Sequence, residues 1–279
     1  MSTLVEHTGA GLSYLTCEGR GDMPVVLLHG IGSNARSFAP LIAALDGSHP
    51  ALAWNAPGYG ASRPLAAEWP DADDYAAALN LLLAHAGVSR CILVGHSLGC
   101  LVAARFALVS PQNVTALMLI SPALGYGTAK GGTLPEGVAR RVEELDRLGP
   151  EKFAAARAGG LVADPAARPD VLDAVRRAMA EVRRPGYDHA TRLLAGGRLL
   201  EDAAKIAVPT TVMVGAQDRI TPSANARRLF EALPGSARAY REIAGAGHAV
   251  CQEEPAEVAR SIDDVIARSA AAHEVNADA

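Results

Sequence analysis

The chain is poor in the residues that metal centres, disulfide frameworks and nucleic-acid surfaces require. Its four cysteines, Cys17, Cys91, Cys100 and Cys251, lie far apart with no C-x-x-C pair, so neither a zinc site nor a disulfide scaffold is expected and the thiols are read as reduced. Lys and Arg (26) do not outnumber Asp and Glu (30), and a net charge of -4 gives no basic surface for nucleic acid. There is no H-E-x-x-H, no G-x-x-x-x-G-K and no strand-G-x-G-x-x-G-helix unit, so no metal, nucleotide or other cofactor is expected. The opening Met1-Ser2-Thr3-Leu4-Val5-Glu6 is not a basic segment leading into an apolar run, and no stretch reaches the length of a membrane span. A cytoplasmic protein with no membrane partner is therefore expected. Aromatic residues are only 4% of the chain, which excludes a broad aromatic cage and points to a mainly aliphatic pocket for a small-molecule substrate.

What is present is a globular composition, 49% apolar and 20% charged over 279 residues, enough for one domain with an insertion. Short β-rich runs alternate with longer Ala/Leu-rich stretches, the pattern of an α/β protein with a largely parallel sheet covered on both faces. The expected order is strands at 4–8, 12–17 and 25–29, a helix at 35–45, a strand at 51–54, a helix at 71–86 and a strand from Cys91. A helix at 98–109, a strand at 114–120, a strand at 208–215, a helix from Pro222, a strand from Ala237 and a helix at 255–268 follow. Between Gly125 and Leu200 the apolar runs stop and the chain turns helical and Arg-rich, holding thirteen of its 26 basic residues. Val138, Val142, Leu145 and Leu148 share one helical face there, as do Val171, Val175, Met179 and Val182. Residues 1–124 and 201–279 are thus expected to form the core, and 125–200 an inserted helical cap. A homo-oligomer is compatible with the sequence.

The apolar run Cys91-Ile92-Leu93-Val94 leads straight into Gly95-His96-Ser97-Leu98-Gly99, which places Ser97 at a strand-to-helix elbow. A serine hydroxyl is a weak nucleophile, so it needs a base within hydrogen-bond reach and a carboxylate to orient that base. His248, in Gly245-Ala246-Gly247-His248, and Asp218, in Gly215-Ala216-Gln217-Asp218, each follow a predicted strand and so fall at the same sheet end as the elbow. Ser97, Asp218 and His248 come in that order, 121 and 30 residues apart, as expected for a nucleophile-elbow enzyme. Donors for a tetrahedral oxyanion are expected from the backbone N–H groups of Leu98 and, in His29-Gly30-Ile31-Gly32, of Ile31. His29 and His96 are read as structural, and Phe38, Tyr59 and Tyr126 as pocket residues.

With His29-Gly30-Ile31-Gly32, Asn55-Ala56-Pro57-Gly58-Tyr59-Gly60-Ala61-Ser62, the elbow, Asp218 and His248 in place, the chain resembles the α/β-hydrolase superfamily with a helical cap. The resemblance covers nearly the whole chain. It is nearest to esterases, enol-lactonases and carbon-carbon bond hydrolases of aromatic ring-cleavage products. Relatives with an aspartate nucleophile, the haloalkane dehalogenases and epoxide hydrolases, are disfavoured by Ser97. Cys100, where many carbon-carbon hydrolases have another glycine, and Ala249, where some have tryptophan, set the chain apart from them. The expected activity is hydrolysis of a carboxylic ester, thioester or lactone through an acyl-enzyme on Ser97. The alternatives are carbon-carbon hydrolysis of a vinylogous diketone, with Arg183, Arg184 or Arg192 holding a substrate carboxylate, an acyltransferase, and a ligand receptor without turnover.

Overall fold

The computed structural model describes residues 3–235 and 238–277, with side chains through Ser269. Eight strands form one sheet: β1 (Val5–Gly9), β2 (Leu12–Cys17), β3 (Val25–Leu28), β4 (Ala51–Trp54), β5 (Cys91–His96), β6 (Val114–Ile120), β7 (Thr210–Gly215) and β8 (Arg238–Ile243). Their spatial order is β1-β2-β4-β3-β5-β6-β7-β8. β1 pairs antiparallel with β2 and β2 with β4, and every other neighbour is parallel. The α/β class read from the alternation is the observed one. Ala237, the expected first residue of the last strand, lies outside the described residues.

The central strands read as continuous apolar runs because both faces of a parallel sheet are covered. Successive side chains alternate between two cores: Val26, Leu28, Leu93, Leu117 and Leu119 face one, while Val25, Leu27, Ile92, Val94, Met118 and Ile120 face the other. α1 (Ala39–Ala44) packs on the second face. The helix expected over 35–45 is divided into a 3-10 turn, Ala35–Phe38, and α1, with a proline in the first turn of α1. α2 (Ala72–His85) and α3 (Gly99–Val109) cover the first face, and α2 begins with a capping box between Asp71 and Asp74.

Between β6 and β7 no strand occurs among the described residues. Four helices fill the interval: α4 (Glu136–Arg157), α5 (Pro169–Ala180), α6 (Gly186–Gly196) and α7 (Leu199–Ala203). The expected apolar stripes supply their contacts, since Val138, Leu145, Val175, Met179 and Val182 are buried. α4 is kinked where Gly149 leaves helical geometry (φ 72°, ψ 163°) just before Pro150, whose ring cannot continue a hydrogen-bonded turn. After β7 come α8 (Ser223–Ala232), the short α9 (Val250–Glu253) and α10 (Pro255–Ala277). α10 runs past its expected end at Arg268. No helix among the described residues is long and apolar enough to cross a membrane.

One consequence of the strand order positions the site. From β3 the chain moves outward to β4 and then returns to β5 on the other side of β3. The loops leaving the carboxyl ends of β3 and β5 therefore diverge, and a crevice opens between them.

Candidate active site

Ser97 stands at the mouth of that crevice. Its backbone is left-handed, φ 55°, a conformation that costs a non-glycine residue about 1–3 kcal/mol and persists only where the surroundings impose it. Here they do: Ser97 N–H donates to the Ile120 carbonyl (2.9 Å), and the Ser97 carbonyl accepts from the N–H groups of Cys100 (3.1 Å) and Ala123 (3.3 Å). The elbow glycines are fixed by close approach. A Cβ on Gly95 would lie 2.6 Å from the Gly99 carbonyl oxygen, and one on Gly99 would lie 2.2 Å from that of Leu28. Cys100, the next residue, donates its thiol to the Gly95 carbonyl (3.1 Å); burial pushes that thiol up, away from the reactive thiolate.

His248 follows β8, and its Nδ1–H donates to Asp218 Oδ2 at 2.9 Å. With Nδ1 so engaged, Nε2 is left as the basic nitrogen of a ring that lines the same cavity as Ser97. Asp218 follows β7 and is buried, and its Oδ1 accepts from the N–H groups of Ile220 (2.8 Å) and Thr221 (2.9 Å). Burial alone would raise the Asp218 carboxyl. The His248 ring and the hydrogen bonds from His248 and Thr221 outweigh burial and hold it well below the usual carboxylate range. The structure thus brings Ser97, Asp218 and His248 to one end of the sheet.

Thr221 is the site residue that sequence reasoning missed. Its Oγ1 lies 2.9 Å from Asp218 Oδ2, 2.9 Å from the Ser121 carbonyl and 3.2 Å from His248 Nδ1. The signal was the Asp-x-x-Thr spacing, in which an aspartate accepts from N–H groups two and three residues on.

The loop after β3 backs onto the nucleophile, because a Cβ on Gly30 would come within 2.9 Å of Ser97 Cβ. Ile31 and Leu98 line the cavity, and among the described residues no hydrogen bond uses the N–H of either. The buried His29 fixes this loop: its Nε2 accepts from the Ala56 N–H (3.0 Å), so Nδ1 carries the proton and donates to the Gly30 carbonyl (2.8 Å). Burial, opposed by that carbonyl bond, lowers the ring to about 4. His96 is structural too. Its Nε2–H donates to the His248 carbonyl (2.8 Å), and burial, followed by the proximity of His248, lowers it to about 3.

The expected pocket residues divide. Tyr126 lines the cavity and is exposed. Tyr59 does not line it; the side chain lies behind the loop, edge-on to His29, with its hydroxyl donating to the Ile31 carbonyl (2.7 Å). Phe38 is not in the pocket either. It is 2% exposed and packs in the core with Leu41, Ile42, Val250 and Ile262, while its neighbour Ser37 takes the lining position, because adjacent residues of a helical turn point apart. The three arginines expected to meet a carboxylate are engaged elsewhere. Arg183 donates to the Gly60 carbonyl, Arg184 pairs with Asp146 (3.2 Å) and Asp188 (3.0 Å), and Arg192 donates to the Glu68 carbonyl and lies over Trp69. Arg141, Arg157 and Arg228 line the cavity instead.

The cavity measures about 460 Å³, within the range that encloses small molecules. Among the described residues no cluster of His, Cys, Asp or Glu is arranged to hold a metal ion. A hydroxyl on a strained turn, an imidazole oriented by a buried carboxylate and two unengaged N–H groups around one cavity form a set capable of acyl transfer.

Comparison with known proteins shows which family the chain resembles. The family model described as serine aminopeptidase, S33, matches residues 20–255. The dihydrolipoyllysine-residue acetyltransferase component of the acetoin cleaving system of Pseudomonas putida is 31% identical over 81% of the chain, and the chain spans 60% of that relative's length. The pimeloyl-acyl-carrier-protein methyl ester esterase of Photobacterium profundum is 29% identical, with 89% of the chain and 96% of the relative covered. Among solved structures, the enol-lactonase of Burkholderia xenovorans LB400 superposes with a TM-score of 0.82 at 20% identity over 94% of the chain and 100% of the other.

Proposed function

The chain belongs to the serine aminopeptidase S33 family of α/β-hydrolases, and from that premise we propose that it hydrolyses a carboxylic ester, thioester or lactone through an acyl-enzyme on Ser97. The observation that carries this reading is the left-handed Ser97 in one cavity with a His248 ring whose Nδ1–H is held by Asp218. Esterase and enol-lactonase relatives support the choice of bond.

In the proposed reaction His248 Nε2 takes the hydroxyl proton as Ser97 Oγ attacks the carbonyl carbon. The carbonyl oxygen becomes an oxyanion that accepts from the N–H groups of Ile31 and Leu98. Collapse breaks the bond to the leaving oxygen or sulfur, which receives the proton from His248. Water then attacks the acyl-enzyme, giving up a proton to the same nitrogen, and the acid leaves as Ser97 recovers its hydrogen. Asp218 holds the imidazole in one tautomer and stabilises its cationic form. Residues 125–200, with helices α4 to α6, act as a cap that sizes the acyl group.

The test is the hydrolysis of p-nitrophenyl esters of increasing acyl length by the native chain and by Ser97→Ala. The proposal expects a length optimum in the native protein and a loss of roughly 10⁴-fold or more in the variant at unchanged melting temperature. Equal rates in the two proteins, or no ester cleaved by the folded native chain, would overturn it.

A further inference from the structure

The charge of the cavity wall narrows the substrate. Three arginines, Arg141 and Arg157 of α4 and Arg228 of α8, line the same cavity as Ser97, and among the described residues no aspartate, glutamate or lysine does. Asp218 lies behind His248 and is not part of the wall. Among the described residues only Arg157 of the three is ion-paired, to Glu144 at 2.5 Å, and its guanidinium also rests over the Phe153 ring. Arg141 interacts with the hydroxyl of Tyr187, a neutral partner that also lines the cavity. Arg228 comes from the core helix that follows Asp218, so cationic groups reach the cavity from two separate parts of the chain. Guanidinium groups stay charged at every working pH, and each offers a planar fork of donors matched to carboxylate or phosphate oxygens. Polar neighbours on the wall, Asn225 and Gln252, add amide groups without adding charge.

An aminopeptidase, the activity in the family's description, must hold a free α-ammonium, which needs carboxylates or converging carbonyl oxygens. This wall offers that cation repulsion instead. We infer that the substrate is an anion, an ester or thioester carrying a carboxylate or phosphate that Arg141 and Arg228 hold, and that substrates with a free ammonium group are rejected. The inference rests on the ester-hydrolase reading above and specifies its substrate class. Arg141 and Arg228 are specificity-determining residues in this reading.

Three p-nitrophenyl esters of matched length test it: the adipate half-ester (anionic), the hexanoate (neutral) and the 6-aminohexanoate (cationic). The expected order of kcat/KM is anionic above neutral above cationic, with about tenfold or more at each step, and Arg141→Gln and Arg228→Gln should each lower the anionic-to-neutral ratio about tenfold. A second pair, phenyl hexanoate and its 4-phosphate ester on the phenyl ring, places the charge on the leaving group and phosphate in place of carboxylate. A preference confined to the adipate assigns the anion to an acyl carboxylate, and one confined to the ring phosphate assigns it to a phosphorylated leaving group. A neutral or cationic ester preferred in both sets, or an anion preference untouched by both substitutions, would overturn the inference while leaving the ester-hydrolase reading intact. Calorimetric titration of Ser97→Ala with monomethyl adipate and with methyl hexanoate separates the two in the other direction. Tighter binding of the anion, weakened by Arg141→Gln, would sustain the anion site even if the native chain cleaved none of the esters.

Discussion

Gly99 and Gly137 both lie at the start of a helix, yet a Cβ on Gly99 would stand 2.2 Å from the Leu28 carbonyl oxygen, whereas one on Gly137 would meet nothing within 4 Å. The contrast holds for the regions around them. On the elbow side, position is imposed by backbone: strand ends, close glycine approaches, a positive φ at Ser97 and a buried chain of hydrogen bonds through Asp218, Thr221 and Ser121. On the side of the inserted helices, position is imposed by side chains lying on amphipathic faces, with ion pairs between half-exposed groups such as Arg184 and Asp146. Interactions of the first kind are cooperative and costly to lose; those of the second kind are individually weak and replaceable. In the proposed reading, chemistry that must keep its geometry sits on the first side, while selectivity draws on the second through Arg141 and on Arg228 of the core helix α8.

The largest effect expected from this contrast is at Asp218. Asp218→Asn preserves shape but offers His248 Nδ1 an amide in place of a carboxylate, and kcat for a p-nitrophenyl ester should fall by about 10⁴-fold; a loss under tenfold would place the orienting role elsewhere. Next come the two glycines. Gly99→Ala should lower unfolding free energy by roughly 3 kcal/mol or more, while Gly137→Ala should raise it by up to about 1 kcal/mol, both read from urea melts. The same sign for both would erase the distinction between the regions.

Acid sharpens the comparison further. His29 and His96 are held neutral on the elbow side, at about 4 and about 3 against an ordinary 6.5. In the pH interval below 6.5 the unfolded chain binds protons that the folded protein refuses, so stability is complete near pH 7 and is lost as pH falls toward 4. For His29 alone the loss is about 3 kcal/mol by pH 4. A melting temperature that stays flat from pH 7 to 4 would contradict it. The smallest effect is at Thr221: Thr221→Val should cost roughly tenfold in kcat by removing the hydroxyl donor shared between Asp218 Oδ2 and the Ser121 carbonyl, and Thr221→Ser should restore it. A valine variant with native kcat would make that hydroxyl incidental.

The same contrast explains what could be read from the residues alone. Ser97, Asp218 and His248 could be grouped from the residues because each follows a predicted strand, apolar for the first two, and a parallel sheet delivers all such positions to one end. His29 was legible as structural because two-glycine loops need a fixed anchor. Phe38 and Tyr59 were not: each sits next to a cavity-lining segment, but the direction of a side chain in a 3-10 turn or a glycine-rich loop is decided by packing against α1 or His29. The arginines were hardest. Thirteen basic residues crowd the insertion, and nothing in their spacing distinguishes Arg141 and Arg157, which face the cavity, from Arg183, Arg184 and Arg192, which are spent on carbonyls, carboxylates and a ring. Arg228 lies outside the insertion altogether, and only the tertiary placement of α8 brings it to the wall.

The central claim is that the nucleophile is Ser97 and that the reaction passes through an acyl-enzyme. Rapid acid quench of the native protein with p-nitrophenyl hexanoate, followed by peptide mass mapping, tests it directly. A hexanoyl adduct on the peptide carrying Ser97, formed at the rate of a p-nitrophenol burst, is the expected result. Turnover with no adduct, or an adduct on Cys100 or Cys251, would contradict it.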